Sequence, residues 1–190
     1  MYPPRAGGTG RYVRCMYCTP PPPPLAAIVR QATQLVSSRV AAIPTPRACL
    51  TDEVPRGSGM ATPGVVWFSA ADQTVFAQPA RRWPADRPVV VLHEVLHQVA
   101  MANGLEADVD MSAEEGLVEA VTHDLKRQWL RQVRGRDGRV AIAYRGWVTS
   151  VRRASAAATG TRWTSRDARI WRARMVGTPP ASRQVIAGIN

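Results

Sequence analysis

Lysine is almost missing from this chain: Lys126 is the single one among 25 basic residues, and the rest are arginines. Histidine stops at three, cysteine at an odd three, and the longest uncharged apolar run is far short of the roughly 20 residues that a bilayer crossing needs. Each shortage excludes something. Short apolar runs argue against membrane insertion. The first residues show no apolar stretch behind a basic start, so a signal peptide is not expected and a cytoplasmic location is. An odd cysteine count fits reduced thiols in a reducing compartment better than a disulfide framework. Acidic residues also run out along the chain. Up to Asp124 ten basic residues face twelve acidic ones, whereas from Lys126 onward fifteen face two. Positive potential concentrated in one third of a chain attracts polyanions, which makes nucleic acid or an acidic partner a candidate for that segment.

What is present has the composition of one compact domain plus tails, and its helical and β-prone runs together predict an α+β fold. Residues 1–24 hold Gly, Arg, the pair Cys15 and Cys18 and a run of five prolines from Pro20, which predicts a flexible, extended tail. Leu25, Ile28, Val29, Ala32, Leu35, Val36 and Val40 recur at helical spacing until Pro44 and Pro46, which predicts a first helix. Gly64 to Ser69 and Thr74 to Gln78 are short β-prone runs and predict a hairpin or two strands. Val89 to Ala102 is a mostly apolar run ending at Asn103-Gly104 and predicts a buried helix. Another helix is expected from Ala113 to about Val133, and helical stretches over Val140–Arg153 and Ser165–Val176, the start of the former also reading as a strand. The resulting organisation is a tail at 1–24, a domain at 25–135 and a basic extension at 136–190. In that extension, tryptophans among arginines fit an amphipathic cap with its arginines in water, or a surface that stacks on bases.

The buried helix carries His93-Glu94-Val95-Leu96-His97, an HExxH pattern. Residues turn by about 100° along a helix, so His93 and His97 lie about 40° apart on one face, with Glu94 on the flank. Two imidazoles on one face suit zinc, and Glu94 is placed to take a proton from a metal-activated water as general base. Without a metal, the surrounding Val, Leu and Ala would bury two imidazoles and a carboxylate with no evident partner. A third ligand is required. The extension HExxHxxGxxH would need Gly at 100 and His at 103, where this chain has Ala100 and Asn103. Glu115, Glu119 and Asp108 are the remaining candidates. Glu115 also fits a helix-capping pattern with Ser112.

With Glu114-Glu115-Gly116-Leu117 following HExxH, the chain resembles the gluzincins, zinc metallopeptidases in which HExxH on one helix is completed by a Glu on the next. That resemblance implies a minimal zincin-like domain and Zn2+ held by His93, His97 and Glu115. It also implies Glu119 as the group orienting His93, and a protein or peptide as substrate. It rests on two short strings within residues 65–130. Short length and a basic end are also similar to small metallopeptidase-like proteins of tailed phages and their bacterial hosts, which would allow a virion-associated location. A peptidase needs a donor for its oxyanion, and His123 and Tyr144 are the candidates. Cys15, Cys18 and Cys49 with His123 form a weaker candidate for a structural zinc site, and Cys49 for a removable zinc-blocking thiolate. The alternative to a peptidase is a basic nucleic-acid-binding or assembly protein whose zinc site is structural or vestigial.

Overall fold

A computed structural model describes residues 16–103, 111–140 and 145–159. Among these the chain is mixed α+β and helix-rich, with five helices and one three-stranded sheet. Helix α1 spans Pro23–Arg39. The last two prolines of the Pro20–Pro24 run lie in its first turn, where a ring-fixed φ suits a helix and the missing N–H removes no bond. Leu25, Ile28, Val29, Ala32, Leu35 and Val36 form its buried face.

Three strands follow: β1 Arg47–Thr51, β2 Gly59–Thr62 and β3 Val65–Ser69. The sheet order is β1-β3-β2, with β1 parallel and β2 antiparallel to β3. The expected strand from Gly64 to Ser69 is thus β3, but its hairpin partner is upstream, joined by Pro63-Gly64. Gly64 has φ +74°, the left-handed conformation that such a tight turn requires. The expected second strand, Thr74 to Gln78, is instead helical, with α2 at Gln73–Phe76. Burial overrides local β preference there, because Phe76 packs edge-on between Phe68 and Trp83, at ring-centroid distances of 5.7 and 5.1 Å.

The end of the segment expected to be a free tail is tied to the sheet. Thr19 and Leu50 exchange backbone hydrogen bonds of 3.0 and 2.9 Å, and Cys18 and Cys49 form a disulfide. The expectation of reduced thiols is therefore corrected for these two, and neither is left as a zinc ligand or blocking thiolate. Side chains alternate along β1. Ala48 and Leu50 face the main core, while Cys49 joins Trp67, Val54 and Met60 in a small cluster on the opposite face. Cys15 lies outside the described residues.

Helices α3, Asp86–Ala102, α4, Met111–Arg134, and α5, Arg145–Thr159, complete the fold. The main core joins α1, the inner face of the sheet, Leu92, Val95, Leu96 and Val99 of α3, and Leu117, Val121, Leu125 and Trp129 of α4. Trp129 donates its indole N–H to the Pro88 carbonyl at 2.6 Å, which ties α4 to the start of α3. Helix α5 covers part of the expected Val140–Arg153 helix and continues to Thr159. Val148 and Val151 of α5 are buried, and Arg152 bonds Asp124 at 2.8 Å. A Cβ on Gly116 would lie 3.0 Å from Trp147 Cβ, so this glycine permits α5 to approach α4 closely. The expected helix over Ser165–Val176 lies outside the described residues. No helix among those described is long and apolar enough to cross a membrane.

Candidate metal centre

The site is built where α3 and α4 pack against each other. His93 and His97 are one turn apart on α3, with ring centroids 4.9 Å apart, and their Nε2 atoms approach to 3.1 Å. Glu115 Oε2 of α4 lies 3.2 Å from His93 Nε2 and 3.5 Å from His97 Nε2. One donor atom from each of the three residues lies within 4.8 Å of the others. Two imidazole nitrogens and a carboxylate oxygen converging in this way could hold one divalent cation, and the donor set suits zinc.

The other nitrogen of each ring faces an acid. Glu119 Oε2 is 3.1 Å from His93 Nδ1, with Thr122 Oγ1 at 3.5 Å, and Glu114 Oε1 is 2.7 Å from His97 Nδ1. A carboxylate accepting the Nδ1–H fixes each ring's orientation and leaves the Nε2 lone pair directed at the shared point. Glu119 is the residue for which the resemblance implies a role in orienting His93. Glu114 was not foreseen. Its signal lay in the antiparallel pairing, since stepping four residues forward on α3 from His93 means stepping four or five back on α4 from Glu119. Glu115 lies with the two histidines, one of the two places its sequence context suggested.

Electrostatics follow from this crowding. Burial by itself would lower the pKa of both imidazoles, but the hydrogen bonds to carboxylates outweigh it. Bonds to Glu115 and Glu119 raise His93 to about 9, and those to Glu114 and Glu115 raise His97 to about 10. Burial likewise pushes Glu115 up, and its bonds to both histidines overcome this and hold it well below the usual carboxylate range. Without a metal, the surrounding carboxylates therefore bias both rings toward the protonated form.

Glu94 occupies the flank of α3 that faces the sheet rather than α4. It is buried, and it is packed so closely on the edge strand that a Cβ on Gly59 would lie 2.5 Å from Glu94 Cγ and 2.7 Å from its Oε1. Gln98, one turn along the same flank, bonds the backbone of the β2–β3 turn at three points. Neither Gly59 nor Gln98 was foreseen, because both act through backbone that sequence periodicity does not place.

His123 is not a member of the converging ligand group. It lies among Asp124, Lys126 and Arg152, and burial, then the nearby cations, lowers its pKa. Tyr144 and Asp108, the other oxyanion and ligand candidates, lie outside the described residues. No family model, curated protein or solved structure matches this chain.

Proposed function

We propose that this protein is a zinc metallopeptidase with a minimal zincin-like domain, cleaving peptide bonds in a protein or peptide substrate. The observation that carries the reading is the convergence of His93 Nε2, His97 Nε2 and the Glu115 carboxylate, with a buried Glu94 next to His93 on the same helix. Zinc held by His93, His97 and Glu115 would act as a Lewis acid on the scissile carbonyl and make water a better nucleophile. The chain's own groups do the rest. Glu94 takes the proton of the attacking water and returns it to the leaving amine. Glu114 and Glu119 hold the two imidazoles in the tautomer that presents Nε2. His123 is the described candidate for stabilising the oxyanion, from one turn beyond Glu119.

Glu94→Gln keeps shape and volume but cannot accept the proton. It should retain wild-type zinc content by elemental mass spectrometry and lose about 10²–10⁴-fold in hydrolysis of a mixed peptide substrate. Full-rate cleavage by this variant would remove Glu94 from the reaction, and unchanged zinc in His97→Ala would remove the site.

The basic end suits a polyanionic partner as an auxiliary contact rather than as the main function. Exposed Arg127 and Arg131 already bond Asp137, which neutralises part of that surface internally. Binding of nucleic acid that survives zinc removal and weakens steeply with salt would favour the binding-protein alternative instead. The Cys18–Cys49 bond bears on location. Disulfides persist in oxidising compartments and on virion surfaces, so we place the working protein there rather than in the reducing cytosol.

A further inference from the structure

Helix α3 presents two different faces. His93 and His97 meet α4, while Arg87, Glu94 and Gln98, spaced seven and four residues apart, form a stripe that meets strand β2 and the turns at its two ends. Each end of β2 is fastened to that stripe. At the C-terminal end the Gln98 side-chain amide spans the turn into β3. Its Nε2 donates to the Thr62 and Val65 carbonyls at 3.0 and 3.2 Å, and its Oε1 accepts the Gly64 N–H at 2.9 Å. At the N-terminal end, Asp72 is fully buried and links three groups. It accepts the Gly57 N–H at 2.7 Å, and lies 3.3 Å from Arg87 Nε and 3.4 Å from Arg56 Nε. Gly57 has φ +84°, and a Cβ there would lie 3.1 Å from the Arg87 guanidinium nitrogens, so backbone and arginine are in close contact. Between the two fastenings Gly59 rests on the Glu94 carboxylate.

We propose that Gln98 and the Asp72–Arg87 pair are positioning residues that clamp β2 onto α3 from both ends, so that Gly59 holds the Glu94 carboxylate beside the metal centre. The inference deepens the metallopeptidase reading and rests on it. A β2 edge free to lift would allow the Glu94 side chain other rotamers and let water in beside it. A clamp at one end only would leave the strand a hinge. The two together remove it, and the Gln98 amide does so through bonds to backbone of the β2–β3 turn.

The test uses the full chain loaded with cobalt(II), whose visible absorption reports the geometry and donors of its site. Gln98→Met keeps volume and removes all three hydrogen bonds, Asp72→Asn weakens the other fastening with less risk to folding, and Glu94→Gln and Trp83→Phe are controls. The expected result is one cobalt per chain in every variant, with Gly64 amide exchange at least about tenfold faster in Gln98→Met. The cobalt bands of Gln98→Met and Asp72→Asn should shift in the direction seen for Glu94→Gln, with Trp83→Phe unmoved. Wild-type bands in Gln98→Met and Asp72→Asn, with faster Gly64 exchange in the former, would overturn the positioning role. No cobalt bound by the wild type would overturn the metal reading and this inference with it.

Discussion

The face of α3 that meets α4 and the face that meets the sheet solve the same problem in different ways. Toward α4, each imidazole is oriented by a charged side chain, Glu119 on His93 and Glu114 on His97. Toward the sheet, Glu94 is confined by a glycine without a side chain and by an amide that bonds backbone. The first arrangement is electrostatic, while in the second the contact on Glu94 is steric and only the anchoring of its strand, through the Asp72–Arg87 pair, is ionic. Metal affinity and proton transfer should therefore respond to different substitutions.

The sharpest way to break that separation is on the steric side. Gly59→Ala places a Cβ where the Glu94 side chain stands, and a displacement of about 1 Å at a reacting group costs on the order of 100-fold. Turnover should fall by about that factor with zinc content unchanged, and parallel peptide hydrolysis and metal analysis would check it. On the electrostatic side the effect should be smaller and of the opposite kind. Glu114→Gln removes the charge that orients His97 and should weaken zinc binding about 10–100-fold in a competition titration, with most turnover restored at saturating zinc.

The pH behaviour is set mainly by the carboxylates bonded to the imidazoles, and the Glu94 charge adds in the same direction. With His93 raised to about 9 and His97 to about 10, the metal-free protein gains stability from the protonated rings. That gain is fully present below the ordinary histidine value of about 6.5 and is lost as pH rises through 9 to 10. Zinc requires both rings neutral, so near pH 7 its uptake should release about two protons, measurable by calorimetric titration in two buffers of different ionisation enthalpy. Exchanging two protons for one divalent cation leaves the charge of the centre unchanged. The smallest effect on the site is expected from the far side of the sheet. Cys49→Ser should lower unfolding stability by about 3 kcal/mol in a denaturant titration, with zinc affinity as in the wild type.

How much of this could be read from the sequence divides along the same line. Helical periodicity placed α1 and α4, although α1 ends at Arg39 rather than at Ile43, a mostly apolar run ending at Asn103-Gly104 placed α3, and the spacing within His93-Glu94-Val95-Leu96-His97 put both histidines on one face. Elements defined by long-range pairing were not legible. Strand β1 is five residues containing Ala and Cys between prolines and a polar loop, and it becomes a strand because β3 and Thr19 pair with it. Thr74 and Val75 looked like strand until the burial of Phe76 decided otherwise. Glu119 was readable only through the resemblance to the gluzincins, which implies an acid orienting the first motif histidine; its spacing from Glu115 left it also a candidate ligand. Gln98 was not readable, because its partners are the carbonyls of Thr62 and Val65 and the amide of Gly64, and their place depends on the turn.

The Cys18–Cys49 bond closes a covalent ring that encloses the whole of α1. The Pro44–Pro46 connection between α1 and β1 is a segment outside regular structure where a backbone cut could fall. A nick there opens the ring but leaves α1 attached through the disulfide, so the helix that backs α3 stays with the molecule. Breaking the chain at that connection would sever a peptide bond without releasing a fragment.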